Sequence, residues 1–486
     1  MNTLNPAFKR HFEDPRNAGI PRSYNCIGRD SSLRSDATVV YYGLIDDGKI
    51  MDIGFRTFGC SYSIAASSCM TDLAKGKSIA DASRIWEEDI EGELGIFPEN
   101  RKNSLNVALG AFHAMLSSYI DNISDDAILP GGSTAAAMSG GLDSSMAASL
   151  LVRKGLPVTG ITMKVLPDDE LVLEKRITSW MSRDIYSARR VCSLLGIPHF
   201  TVDLSREFER KIIEPFCAEY LKGRTPNPCV ECNKSIKFGT LLDTCRKLGA
   251  GTMATGHYCR VEKPCESGSF VVRKGRDRSK EQSYVFWRLS QSQLSRIITP
   301  LGELTKKEVR NMSSELLPFL ENRDESQDIC FIAGDRYHDF LQKRTGETGR
   351  GRILDTRGRE IGEHRGFPYY TIGQRKGLGI SHPRPLYVIK IIPEENIIAA
   401  GEKEELFRDR AQLTELNFIA GSPPADEFSA LVKIRYNSPE EEAVIRPGPQ
   451  NTAKVFFKKK VSSVTPGQSA VFYDGDILLG GGIIDS

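Results

Sequence analysis

The sequence predicts an α/β protein of several domains. A doubly wound parallel sheet forms the centre, an α+β unit precedes it, and a mixed helical bridge and a small β-barrel follow. Three observations carry this expectation. The length of 486 residues suits two to four domains. From Ser133 to Thr255 short apolar strands alternate with helical stretches, the pattern of a parallel sheet covered by helices. From about residue 365 the chain is strand-rich with Gly/Pro turns, ending in Leu478-Leu-Gly-Gly-Gly-Ile-Ile484, which suggests a closed antiparallel barrel.

Taken in order, Val39–Ile45 and Ile50–Phe58 read as strands joined by the turn Asp46-Asp47-Gly48, with helices over 62–75 and 101–120. The stretch 121–132, rich in Asp, Gly and Pro, reads as a linker. Thr134–Met138 is a short buried strand and 143–154 a helix. Strands at 157–163, 199–202 and 252–255 then alternate with helices at 184–195, 205–221 and 234–248. Residues 291–345 read as mainly helical. The expected domains are therefore 1–122, 133–290, a bridge at 291–364, and 365–486.

Composition narrows the classes. Hydrophobic residues make up 40% and charged residues 26%, as in a globular protein with real cores. No apolar run is long enough to cross a membrane. The first residues lack a signal-peptide core, so the expected location is the cytoplasm, where thiols stay reduced. The eleven cysteines are then reactive, metal-binding or core residues rather than a disulfide frame. Net charge is only +2, yet residues 341–380 carry nine Lys/Arg against four Asp/Glu, and Lys454–Lys460 contains no acid. Such local patches can serve a nucleic-acid backbone.

The string Ala137-Met138-Ser139-Gly140-Gly141-Leu142-Asp143-Ser144-Ser145 leaves an apolar strand and opens a helix. Glycines let the backbone approach a phosphate, and the helix start offers free N–H groups and the positive end of the dipole. A carboxylate beside phosphate needs a bridging cation, which makes Asp143 a candidate Mg²⁺ ligand. The string resembles the loop of the N-type ATP pyrophosphatases, which adenylate a carbonyl oxygen and release pyrophosphate. It is not a Walker A pattern, which disfavours kinase or GTPase chemistry.

Three later strings narrow the substrate: Gly223–Phe238, containing Asn227, Pro228, Cys229 and Cys232; Ala254-Thr-Gly256-His257-Tyr258; and Glu325–Phe331, containing Cys330. They resemble the tRNA-specific 2-thiouridylase family over roughly 133–484, supported by Lys280–Tyr284, Tyr370–Gly379, Lys433–Tyr436 and Thr465–Tyr473. The resemblance implies ATP- and Mg²⁺-dependent thiolation of a tRNA wobble uridine at C2. In that picture Cys330 carries a persulfide, Cys232 attacks it, and His257 lies near the base. Met163 and Gly256 line the adenine pocket and Asn227–Cys229 face the target base. Lys280, Glu281, Gln282, Arg435, Tyr436 and Gln468 belong to the tRNA side.

Chemically, replacing oxygen by sulfur needs an activated leaving group and a sulfur nucleophile. Lys234 and Lys237 near Cys232 are expected to lower its thiol pKa. Cys229, Cys232 and Cys330 could also hold a [4Fe-4S] cluster or zinc, or assist disulfide exchange. Two alternatives stand beside this reading: another adenylating ligase with the same loop, and a non-catalytic sulfur or iron–sulfur carrier.

Residues 1–120 resemble the NifU/IscU-type iron–sulfur scaffold through Phe12–Gly19, Phe55–Cys60 and Lys75–Lys77. Asp36 and Cys60 fall on two of that family's ligand positions, while Arg34 and Asn103 occupy the other two. Cys26 and Cys69 lie out of register. One thiol and one carboxylate make a poor cluster site. The domain is therefore expected to dock a cysteine desulfurase or other sulfur donor, with Cys60 as a candidate sulfur relay; the alternative is an appendage that adds stability or contacts tRNA.

Overall fold

The computed structural model describes residues 5–32, 37–123, 128–129, 131–166, 175–263, 268–320, 329–332, 337–346 and 348–486; side chains of 32 and 175–183 are not described. Arg34, Asp36, residues 325–328 and part of the expected linker lie outside them. The chain forms two compact units. One comprises 1–204, 241–256 and 307–323; the other comprises 205–240, 257–306 and 324–486.

In the first unit, β1 (Cys26–Ser32), β2 (Ala37–Asp46) and β3 (Lys49–Phe58) form an antiparallel sheet in that order. The expected turn between β2 and β3 is present, with Asp47 and Gly48 both at positive φ, as a tight hairpin requires. Alternate residues of β2 are buried, the signature of a sheet with one face on a core. Helices α1 (Pro6–Glu13), α2 (Ser61–Ala74), α3 (Ile79–Ala82), α4 (Glu87–Leu94) and α5 (Lys102–Asp121) complete this region. The sequence reading missed β1, because Cys26-Ile-Gly-Arg-Asp alternates too weakly to signal a strand.

The same unit holds the parallel sheet. Strands β4 (Thr134–Ala137), β5 (Val158–Lys164), β6 (His199–Asp203) and β7 (Thr252–Ala254) lie in the order β7-β4-β5-β6. Between them run α6 (Leu142–Arg153) and α7 (Lys175–Leu194). Strands β4–β6 are buried almost throughout, as expected for a sheet covered on both faces. The front region packs directly on β6. Ser117 Oγ donates to Thr201 O at 2.6 Å, and His199 N donates to Ser83 Oγ at 3.3 Å.

In the second unit, strands Phe407–Phe418, Thr452–Ser462, Glu441–Gly448, Phe428–Lys433, Ser469–Asp474 and Ile477–Ile484 pair in sequence, and the last closes on the first. The antiparallel hairpin of β8 (Cys259–Glu262) and β9 (Val271–Lys274) extends this sheet from its final strand. A separate four-stranded sheet is built from Glu360–His364, Gly351–Asp355, Ile397–Gly401 and Tyr387–Ile392. Gly351–Asp355 and Glu360–His364 fall inside the mixed bridge expected at 291–364, beyond the stretch read as mainly helical. Two sheets with their own cores occupy the stretch read from sequence as one barrel. Strands of both sheets carry buried apolar residues, and sequence period alone does not say which sheet a strand joins.

Candidate active site

The phosphate loop sits at the carboxyl ends of the parallel strands, the place where open α/β sheets bind ligands. β4 ends at Ala137, β5 carries Met163 near its end, and β7 leads to Gly256. Met138 N donates to Ile161 O at 2.8 Å, which holds the loop to its neighbouring strand. Gly140 has φ +71°, a conformation suited to glycine. Ser144 Oγ accepts from Ser139 N at 3.1 Å and donates to Gly141 O at 3.1 Å. Leu142 and Asp143 open α6, so Asp143 lies in the first turn, where a carboxylate is favoured by the dipole. Gly256 lies against that turn. A Cβ there would meet Asp143 C and Ser144 N at 2.8 Å. The structure therefore gathers Ala137–Ser144, Met163 and Gly256 at one end of the sheet.

The thiol site belongs to the second unit. Asn227 Oδ1 accepts from Cys229 N at 3.1 Å and from Val230 N at 3.4 Å, capping the short helix Pro228–Glu231. Asn-Pro at a helix start is a readable signal: the side chain caps and proline fills the first turn. The helix then widens into a π-turn segment, Cys232–Leu241, where a regular helix was expected from residue 234. Gln293 Nε2 donates to Lys234 O at 3.0 Å and to Phe238 O at 2.8 Å, satisfying carbonyls of this irregular turn.

Cys232 is buried, whereas Cys229 and Cys330 keep an exposed face. Burial raises the Cys232 thiol to about 11, against the lowering effect of Lys237. Burial also raises Cys229, again opposed by Lys237. Protein packed around the Cys330 sulfur pushes it up to about 12, and the nearby Cys232 and Cys229 add to the rise. The expected lowering at Cys232 is thus overturned, because desolvation of the thiolate outweighs one cation. The same lysine acts on His257, which burial already holds well below its ordinary value. His257 meets Phe286 edge-on at 5.0 Å and Phe238 at 6.1 Å. It is therefore held in its neutral form, because burial and Lys237 both disfavour the imidazolium. Three thiols and this imidazole share the field of Lys237. Among the described residues no three His, Cys, Asp or Glu side chains are gathered as a metal ion needs.

The residues expected at the tRNA mostly brace this site. Gln282 and Tyr258 exchange hydrogen bonds: Tyr258 N to Gln282 Oε1 and Gln282 N to Tyr258 O, both 3.0 Å. This fixes the segment bearing His257. Tyr436 Oη donates to Glu281 O at 3.0 Å, beside Lys280. Arg435 Nη2 donates to Ser463 O at 2.7 Å and Ile372 O at 3.2 Å, and also to Thr465 Oγ1, which makes Arg435 an internal brace between two sheets. Gln468 Nε2 donates to Thr225 O at 2.9 Å, while Thr225 N donates to Pro466 O at 2.8 Å. The barrel loop thereby clamps the segment leading to Asn227. Sequence reasoning missed Thr225 and Arg224, whose partners Asp485 and Ile484 O lie some 260 positions away.

In the front domain, Cys60 is half-buried at the start of α2, with its sulfur 3.3 Å from Ser104 Oγ. Burial pushes this thiol up, but the Ser104 hydroxyl, the Ser63 and Tyr62 amides and Arg101 together bring it below its ordinary value. Cys26 and Cys69 are core residues, each pushed to about 12 by burial.

A phosphate loop of this form defines the class of enzymes that activate a substrate with ATP, here within a chain that also carries clustered thiols. Residues 133–334 match the family described as tRNA methyl transferase HUP domain, 338–402 its PRC-barrel domain, 408–484 the aminomethyltransferase β-barrel domain, and 5–125 the NifU-like N-terminal domain. The tRNA-specific 2-thiouridylase MnmA of Carboxydothermus hydrogenoformans is 43% identical over 351 residues, 72% of this chain and 96% of that protein. Its counterpart in Chloroflexus aggregans is 44% identical over 349 residues, 72% of this chain and 97% of that protein. The chain belongs to the tRNA-specific 2-thiouridylase family. A solved N-terminal NifU-like protein of Brucella abortus matches 24% of the chain and 94% of that protein at 18% identity, with a TM-score of 0.21.

Proposed function

We propose that this enzyme uses ATP to activate C2 of a wobble uridine in tRNA and replaces its oxygen with sulfur. Uridine O2 attacks the α-phosphorus of ATP, and pyrophosphate leaves. The Ser139–Ser144 loop and the start of α6 hold the phosphates. Asp143 is a single carboxylate among hydroxyls and amides, a donor set that fits a Mg²⁺ ion carried mainly by phosphates and water. That ion would neutralise charge on the departing pyrophosphate. Met163 and Gly256 flank the nucleotide.

The terminal sulfur of a Cys330 persulfide then attacks C2. AMP leaves with the former O2, giving a C2–S–S–Cys330 link. The Cys232 thiolate attacks Cys330 Sγ, the S–S bond breaks, and the electron pair stays on the new 2-thiouridine sulfur. A Cys232–Cys330 disulfide remains, and an external thiol must reduce it. Both thiols are protonated at rest, so each must lose its proton before it reacts, and Lys237 is the cation that favours the thiolates that form. No step passes through a metal cluster. The observation carrying this reading is that Cys229, Cys232, Cys330 and His257 share one lysine's field. Asn227, Pro228, Lys280, Glu281, Gln282, Arg435, Tyr436 and Gln468 line or brace the tRNA side.

For the front domain we propose a receiving surface for a cysteine desulfurase or comparable sulfur donor. Cys60 is its acceptor, because among the described cysteines its thiol is lowered rather than raised. The deciding experiment digests tRNA treated with the protein, ATP and a sulfur source, and analyses its nucleosides by mass spectrometry. A gain of sulfur at the wobble uridine, dependent on ATP, is expected. Sulfur elsewhere, or none, refutes the reading.

A further inference from the structure

The front region and the phosphate loop meet through one helix. On α7, Ser187 is buried and its Oγ donates to Gly140 O at 3.1 Å. Gly140 and Gly141 are joined by a trans peptide, in which the C=O and the following N–H point in opposite directions. Drawing the Gly140 carbonyl toward α7 therefore turns the Gly141 N–H away from α7, toward Ser139 Oγ, which accepts from it at 3.4 Å on the face of the loop read as the phosphate side. Gly140, at φ +71°, brings no side chain of its own, and the Ser187 and Ser139 hydrogen bonds grip the peptide from its two sides.

Ser187 is in turn set by the front domain. Its neighbour Tyr186 packs on Trp86 at 5.4 Å between ring centroids, and its hydroxyl bonds Glu87 at the start of α4. Trp86 is itself held: its ring is buried, and its backbone N–H donates to Asp89 Oδ2 at 2.8 Å. Two residues beyond Ser187, Arg189 Nη2 donates to Thr201 Oγ1 at 3.3 Å and lies in the field of Asp30 on β1. The carbonyl of Thr201 accepts from Ser117 on α5. Both sides of Ser187 are thus anchored to residues 30–117.

We infer that the front domain is a positioning element of the ATP site, acting through Trp86, Tyr186 and Ser187 on the Gly140–Gly141 peptide. This goes beyond a role in sulfur delivery and rests on the reading that the loop binds ATP. The domain is seated on β6 and α7 rather than held by a tether, so its removal disturbs nucleotide binding irrespective of the sulfur source.

The test titrates the full-length protein with ATP and Mg²⁺ by calorimetry, without tRNA, and follows thermal unfolding in parallel. Ser187→Ala should weaken ATP binding by roughly 2- to 12-fold, the worth of one hydrogen bond. Ser187→Thr should restore most of it. Trp86→Ala should weaken ATP in the same direction by a smaller factor. The double variant should be no weaker than Ser187→Ala alone, because both act on one peptide. Factors that multiply instead overturn the shared path. So does Trp86→Ala with a lowered Tm but unchanged ATP affinity, which makes the front domain a stabilising cap only. Wild-type affinity in Ser187→Ala overturns the role of Ser187. If the unaltered protein binds no ATP, the reading of the loop itself fails, and this inference with it.

Discussion

Gly256→Ala is the sharpest probe of the nucleotide end of the site. The added methyl would lie 2.8 Å from both Asp143 C and Ser144 N, and 3.0 Å from Asp143 O. Ordinary carbon contacts begin near 3.5 Å, so the two segments must part by about 0.7 Å. All three atoms are backbone in the first turn of α6 and cannot rotate away. β7 and β4 are paired in register from Thr252 to Ala254, which limits retreat on the other side. Overpacking of this kind costs about 1–3 kcal/mol. Here the displaced atoms belong to the loop proposed to hold phosphate, so the loss should fall on ATP. An affinity lower by roughly 5- to 150-fold is expected from that range. The thiols of the second unit should react as before. Calorimetric titration with ATP, paired with gel-shift titration of tRNA, separates the effects. Unchanged ATP affinity in a folded Gly256→Ala protein would refute the argument that this backbone contact shapes the site.

Cys232→Ser and Cys330→Ser should each reduce thiolation to background while ATP titrations stay normal; residual 2-thiouridine from Cys330→Ser would remove it as the persulfide carrier. Alkylation with iodoacetamide at pH 7.5, read by peptide mass spectrometry, should modify Cys60 first. Cys330 should lag despite its exposure, because its thiol sits near 12; the reverse order contradicts the electrostatic argument. Cys232 also predicts alkaline instability: folded, its thiol sits near 11 against an ordinary 9.0. Below pH 9 both states keep the proton and the contribution is fully present. Between 9 and 11 the unfolded chain loses its proton and the folded chain does not, so stability falls as pH rises. Denaturant titrations at pH 8 and 10.5 should show a drop that Cys232→Ala reduces. Asp143→Ala should cut turnover by orders of magnitude with tRNA binding retained, measured as pyrophosphate release.

Where a segment's chemistry is local, the sequence was enough. Ser139-Gly-Gly-Leu-Asp-Ser144 announced a tight strand-to-helix turn because strand, glycines and helix start are consecutive. Asp46-Asp47-Gly48 announced a hairpin because its backbone demands are met by its own residues. The alternation from Ser133 to Thr255 announced a parallel sheet for the same reason. Tertiary structure decided what depends on distant partners. Lys237 lies five positions from Cys232, yet burial supplied by the whole unit set the thiol values against it. Arg435 read as a tRNA contact until Ile372, Ser463 and Thr465 came into reach of its guanidinium. The hairpin 259–274 joined a barrel built from residues after 406, a pairing that period-2 patterning does not encode. Ser187 carried no signal at all: its meaning is the carbonyl of Gly140, 47 residues earlier, and the front domain packed on either side of it. Motifs are legible because their atoms are neighbours in the chain. Burial and long-range hydrogen bonds are properties of the folded ensemble of segments, and they exist only once it has formed.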